Sequence, residues 1–239
     1  MFRSEIFFRT TRELEYLFFF VAPTPFKLNG RSLILYDLSS ITELQANLPL
    51  KISWKKLVRK EVEKFWLKRL QNDATAKTTL KYLAIKHLEV GTSQPLWKMK
   101  LKTRIAVKKS IIKARIITGT LVLQKDRHRF NKFDISSICP VCRLEDEDII
   151  HFILKCPLLA GSRQEPFRWL KNKVINNSED GTWLSIFNND ERITTLIIDC
   201  RNNSETFMES TSVMDRIEEI SIELCYSLYV GRLQCTQET

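Results

Sequence analysis

Glycine and proline are scarce in this chain, six and seven in 239 residues. Turn-rich β architectures need both at their corners, so the shortage favours helices. Histidine is rarer still, with three. Long apolar runs are also missing. The nearest candidate, Leu17-Phe18-Phe19-Phe20-Val21-Ala22, is far short of the ~20 residues that a spanning helix needs. Glu13 and Glu15 precede it, which argues against a signal-peptide core. No membrane association is expected. Six cysteines are too few and too clustered for a disulfide framework, and they point to a reducing compartment, the cytoplasm or the nucleus.

What is present centres on Cys139-Pro140-Val141-Cys142, His151 and Cys156. The spacing is Cys-x2-Cys-x8-His-x4-Cys, a Cys3His set. Zinc takes four such donors in a tetrahedron, and a tight turn carrying two thiols supplies half of it. Pro140 stiffens that turn. Asp146-Glu147-Asp148 offers a capping start for a short helix through Ile149, Ile150, Phe152 and Ile153, and Pro157 stops it. His151 and Cys156 are five residues apart, so they share a face only if the last turn distorts. The competing readings are ordinary buried thiols and a disulfide. Four protein donors would close the site, so one structural zinc is expected rather than a catalytic one. Cys200, Cys225 and Cys235 show no pairing pattern and read as ordinary thiols.

Acidic charge is the other local shortage. The chain carries a net +10, but residues 51–132 hold 23 Lys and Arg against 5 Asp and Glu, a local +18, and the remainder is negative. So one-sided a stretch is a candidate polyanion-binding region, with a merely solvated surface as the alternative. Its candidate contacts are Lys55, Lys56, Arg59, Lys60, Lys108, Lys109, Lys113, Arg115, Lys125, Arg127, Arg129 and Lys132. The last four interleave with Phe130 just before the cysteine turn. Charge that tracks phosphates beside a ring that stacks suits single-stranded or irregular nucleic acid, RNA or DNA.

The periodicity predicts a mainly α protein: a bundle-like helical region, a small Cys3His hairpin-helix and a helical tail. The expected divisions are 1–30 unassigned, 31–132 basic and helical, 133–160 metal-binding and 161–239 tail. Residues 32–36 read as extended. Ser39 or Ser40 caps a short helix through Ile41, Leu44 and Leu48. Ser53 caps a helix in which Trp54, Leu57, Val58, Val62, Phe65, Trp66 and Leu70 form the core face. A further helix is expected over 74–87, a loop over 91–95, and Trp97 as a packing anchor. In a helix over 103–118, Val107, Ile111, Ala114 and Thr118 form one stripe, flanked by Ile105, Ile112 and Ile116, with Gly119 ending it. Helices follow over 165–174, with Pro166 in the first turn, around Ile193 to Cys200, and along Met214, Ile217, Ile220, Leu224 and Leu228.

Several blocks together resemble a known family. They are Ser53-Trp54-Lys55-Lys56, Leu80-Lys81-Tyr82-Leu83, Pro95-Leu96-Trp97, Lys113 to Thr120, Cys139 to Cys142, and His151 to Pro157. This pattern resembles the C-terminal region of open reading frame 2 proteins of non-LTR (LINE-type) retrotransposons. There a Cys-Cys-His-Cys zinc-knuckle-like segment follows the reverse transcriptase. Glu218 to Arg232, with Leu224-Cys225-Tyr226, is similar to the end of such proteins. The resemblance covers roughly residues 32–235. It implies a grip on template RNA or target DNA during target-primed reverse transcription, with the reverse transcriptase domain of a related polyprotein as a partner.

The enzyme does not come with the resemblance. A polymerase of that family needs two adjacent aspartates to hold divalent metals, and this chain has no such pair. An endonuclease would need its own Asp/His/Glu/Asn constellation, and three histidines, one assigned to zinc, leave none for it. The expectation is a module that binds and does not catalyse. One alternative is a protein-interaction module in which zinc only staples helices. Another is catalysis by Glu145, Asp146, Glu147 and Asp148, set against a role for these acids in balancing a helix N-terminus.

Overall fold

The computed structural model describes residues 30–47, 49–88, 95–98, 103–179, 181–207 and 211–237. The aromatic run Leu17–Ala22, and residues 91–94 of the expected loop, lie outside them. The described residues are mainly helical, as the sequence predicts, and contain no strand. They fall into two compact units, one ending at Phe65 and one starting at Trp66.

The first unit holds α1 (Gly30–Leu35), α2 (Ile41–Ala46) and the start of α3 (Lys51–Ala76). Residues 32–36 are thus helical, not extended. Leu38 N–H bonds the Leu33 carbonyl at 2.9 Å and Asp37 N–H the Ile34 carbonyl at 3.2 Å. Asp37 adopts φ 54°, a left-handed cap that a short polar side chain tolerates. Ser40 starts α2 through a capping box. Its Oγ accepts from Glu43 N–H at 3.2 Å, and its own N–H donates to Glu43 Oε2 at 2.9 Å. α3 begins at Lys51, so Ser53 sits inside the first turn rather than capping it. The expected core face of α3 is only partly covered. Leu57 and Leu70 are exposed, and Ala74 is its one fully buried described residue.

The second unit continues from α3 through α4 (Pro95–Lys98), α5 (Arg104–Ile117), α6 (Gln124–Phe130), α7 (Ala160–Ile175), α8 (Thr182–Phe187), α9 (Asp190–Ile198) and α10 (Thr211–Gln237). The helix expected over 74–87 is absent. α3 ends at Ala76, and single 3-10 turns follow at Thr78–Leu80 and Ile85–His87. Side chains from 199–202 claim this segment's backbone. Asp199 Oδ2 accepts from Ala84 N–H at 3.0 Å, Asn202 donates to the Tyr82 carbonyl at 2.8 Å, and Arg201 donates to the His87 carbonyl at 3.2 Å. Local helix propensity is a weak preference beside such tertiary bonds.

Thr103 Oγ1 caps α5 by accepting from Ala106 N–H at 3.1 Å. Gly119, at φ 61°, ends it. A Cβ there would sit 2.6 Å from the Thr79 carbonyl oxygen, so only glycine fits. The expected stripe of α5 is rotated towards one of its flanks. Val107, Ile111 and the flanking Ile105 are exposed, and the flanking Ile112 and Ile116 are buried together with Ser110 and Lys113. In α4, Leu96 is the buried anchor and Trp97 is exposed.

α10 is the spine of this unit and packs along α7 and α5. Ile217, Leu224 and Leu228 are wholly buried and Ile220 nearly so, so the last stripe closes the bundle. The helices approach closely at Gly231, where a Cβ would lie 2.5 Å from Ser162 Oγ. Pro166 falls in the middle of α7, not in its first turn. It leaves the Ser162 carbonyl without an i+4 donor.

Candidate metal centre

The hairpin forms around a single antiparallel bridge between Ile138 and Asp146. Cys139 N–H bonds the Glu145 carbonyl at 2.7 Å, and Glu147 N–H bonds the Ser137 carbonyl at 2.9 Å. Between them the chain turns back through Arg143, whose N–H bonds the Cys139 carbonyl at 2.9 Å and whose φ is 60°. This reversal aims Cys139 and Cys142 at one point.

The second half of the site starts at Asp148, whose Oδ1 accepts from His151 N–H at 2.9 Å. From His151 to Lys155 the helix widens into a single π turn. Cys156 N–H bonds the His151 carbonyl, five residues back, at 2.8 Å. A turn closed by an i→i+5 hydrogen bond takes up one extra residue, and this brings Cys156 round towards the face that His151 occupies. Pro157 then begins a 3-10 turn.

The donor atoms of Cys139, Cys142, His151 and Cys156 all lie within 4.8 Å of one another. Zn–S bonds of about 2.3 Å put tetrahedral donors about 3.8 Å apart, so the four fit around one ion after small adjustments. Three of them are buried. His151 Nε2 lies 3.3 Å from Cys142 Sγ, and its Nδ1 lies 3.3 Å from Glu145 Oε2. A carboxylate on the far nitrogen fixes the tautomer and the ring angle of a metal-binding histidine.

The thiols differ electrostatically. Burial pushes Cys139 up, against N–H groups of Cys142 and Val141. Burial and the neighbouring Cys139 and Cys142 sulfurs push Cys156 up to about 12. Cys142 is lowered, because N–H groups of Leu144 and Glu145 and the other two thiols outweigh its own burial. A dication among the sulfurs would supply the charge that lets all three ionise. Arg163, half-buried with its Nη2 2.5 Å from the Cys156 carbonyl, puts a positive charge beside a site that would carry a net negative one.

The four neighbouring acids are already engaged. Glu145 faces His151, Asp146 accepts from Ser137, and Asp148 holds His151 N–H and Lys125 at 3.3 Å. Glu147 is 1% exposed. Its Oε1 takes Arg232 Nε at 2.6 Å, and its Oε2 takes Arg232 Nη2 and Gln124 N–H, each at 2.8 Å. Sequence reasoning grouped these acids as helix-end charge and missed Arg163 and Arg232 altogether. No spacing signal links Glu147 to a residue 85 positions away.

The candidate contacts on basic residues sort into three groups. Lys113 is corrected outright: it is 0% exposed, its Nζ donates to the Ile197 carbonyl, and Glu218 lies 3.7 Å away. It belongs to the core because the buried face of α5 is rotated from the expected stripe. Arg59 pairs with Glu63, Lys109 with Glu223, and Lys125 with Asp146 and Asp148. Lys55, Lys56, Lys60, Lys108, Arg115, Arg127, Arg129 and Lys132 are exposed, and none makes an ion pair with the described residues. Lys55 to Lys60 belong to the first unit and the rest to the second.

No helix among the described residues is long and apolar enough to cross a membrane. The chain matches no protein-family model, and no curated protein and no solved structure matches it at a significant level.

Proposed function

We propose that this chain is a zinc-stabilised nucleic-acid-binding module of the kind that follows the reverse transcriptase in LINE-type retrotransposon proteins, acting inside the cell, in the cytoplasm or nucleus. The observation that carries the reading is the convergence of Cys139, Cys142, His151 and Cys156 beside a run of unpaired cations. Three thiolates and an imidazole are a zinc donor set, and four protein ligands leave no place for a reacting water. The zinc is therefore a structural ion.

The hairpin also holds the element that carries charge. Glu147 takes the N–H of Gln124, its carbonyl takes Lys125 N–H at 3.2 Å, and Gln124 Nε2 donates to the Ser136 carbonyl at 3.0 Å. All three bonds tie the first turn of α6 to the metal hairpin. Arg127, Arg129 and Lys132 project beyond that anchored turn and would neutralise phosphates. In this reading the module grips RNA or DNA for a reverse transcriptase domain and performs no chemistry itself.

The test is binding of a labelled structured RNA and a nicked DNA across a salt series, with and without a zinc chelator. The expected result is log K falling linearly with log salt, as counterion release requires, and weaker binding after chelation. Binding that ignores the chelator would leave the zinc as a staple only. Absence of binding at low salt would replace this reading with a protein-interaction module.

A further inference from the structure

Just past α6 the backbone does something costly. Lys132 and Phe133 take φ values of 51° and 70° in succession. Neither is glycine, asparagine or aspartate, and a bulky residue in that region is strained by about 1–3 kcal/mol. The conformation is held from several sides. Phe133 N–H bonds the His128 carbonyl at 2.9 Å, Asp134 N–H bonds the Asn131 carbonyl at 3.0 Å, and Asn131 Nδ2 donates to the Arg127 carbonyl at 2.8 Å.

No burial compensates this strain. Phe133 is 68% exposed. The His128 ring meets it edge-on, with centroids 4.8 Å apart and planes at 70°. His128 is itself fixed by a bond from Nδ1 to the Ile135 carbonyl. One part of the phenyl ring is thus braced while much of it stays open to solvent. Phe130, 53% exposed, lies three residues before it. From Arg127 to Phe133 the chain carries three cations and no acid, and Asp134 follows.

We infer that Phe133 is a stacking platform for an unpaired nucleobase, with Arg127, Arg129 and Lys132 holding the flanking phosphates. This rests on the nucleic-acid reading above and narrows it to single-stranded substrate. A fixed ring among unpaired cations offers a π face and charge together, the two features of sequence-tolerant single-strand sites. A base paired within a duplex has its faces covered by its neighbours and cannot use the ring.

The experiment compares the full metal-loaded chain with Phe133→Ala, Phe133→Leu and Phe133→Trp. The probes are a labelled oligo-dT, an oligo-U of equal length and a blunt duplex, each across a salt series. Phe133→Ala should weaken single-strand binding roughly 5- to 100-fold and leave duplex binding and the salt slope unchanged. Phe133→Trp should restore binding and Phe133→Leu should not, a contrast that survives if the alanine variant folds poorly. Equal single-strand binding by the wild type and the leucine variant overturns the inference, and so does a parallel loss for single strand and duplex. If the wild type binds no probe, the underlying reading fails as well. If it binds but ignores residue 133, only the platform fails.

Discussion

Glu147 and Arg232 form a bidentate ion pair, with Nε–Oε1 at 2.6 Å and Nη2–Oε2 at 2.8 Å, and solvent reaches almost none of the carboxylate. One residue closes the metal hairpin and the other lies near the end of α10. The pair fastens the hairpin to the bundle, and the third bond of Glu147, from Gln124 N–H, brings in α6. Removing one partner of such a pair leaves a buried charge alone, which costs about 3–5 kcal/mol. Glu147→Gln and Arg232→Met should each lower the melting temperature steeply, and the double variant should lose less than the sum of the two. Additive losses in a double-mutant cycle would mean that the two residues do not act as a pair.

Metal content should track the four donors. Cys139→Ser and His151→Ala are each expected to lose the ion and to melt the hairpin, since metal affinity is folding energy in such a site. Elemental analysis alongside thermal melting checks this. Unchanged metal content and stability in both variants would rule out the site.

Thiol labelling should report the metal. With the ion bound, Cys139, Cys142 and Cys156 should be protected, and chelation, by melting the hairpin, should open all three to label. Burial raises Cys200 and Cys225, and they should stay unlabelled until the bundle opens. Mass spectrometry of a labelling time course before and after chelation checks this, and equal labelling of the three hairpin thiols in both states would contradict the account.

Lys113 should behave as a core residue. Burial alone lowers its pKa, but Glu218, then Cys225, Cys200 and Asp199, outweigh burial and hold it above the lysine value of 10.5. A folded-state pKa raised in this way gives stability that is present below the unfolded value and lost as pH rises through the folded one. Wild-type melting temperature should therefore decline above pH 10.5, with that component missing in Lys113→Met. The variant should also keep the wild-type salt slope for nucleic acid, whereas Arg127→Ala with Arg129→Ala should flatten it by roughly two. A flattened slope in Lys113→Met would return the residue to the binding surface.

Gly119→Ala should destabilise the end of α5. The substitution places a Cβ 2.6 Å from the Thr79 carbonyl oxygen at a left-handed φ. The strain is about 1–3 kcal/mol, visible as a lower denaturation midpoint with an unchanged slope.

The donor cluster was legible because its information is local. Three thiols and a histidine lie within 18 residues, with a stop at Pro157 directly after, and chemistry restricts what such a set can hold. Gly119 at the end of α5 was legible for the same reason, and so was a serine cap at position 39 or 40, though not the partner Glu43 that completes the box at Ser40. Lys113 was not, because a lysine beside Lys108 and Lys109 carries no mark of where Glu218 will lie. The helix expected over 74–87 failed similarly: the bonds that replace it come from Asp199, Arg201 and Asn202, more than a hundred residues on. Phe133 was overlooked because nothing in its sequence context announces a left-handed aromatic.

The π turn from His151 to Lys155 has a consequence for length variation in this segment. Each α-helical residue advances the side-chain direction by about 100°, so the widened turn acts as an inserted residue absorbed without breaking the helix. Deleting one residue between Phe152 and Lys155 would return ordinary α spacing, with Cys156 following His151 by four. That spacing also brings two side chains to one helix face, so the ion could be regained with a shorter loop, whereas adding a residue would turn the sulfur away from the other three donors. The segment should therefore tolerate shortening by one residue better than lengthening by one.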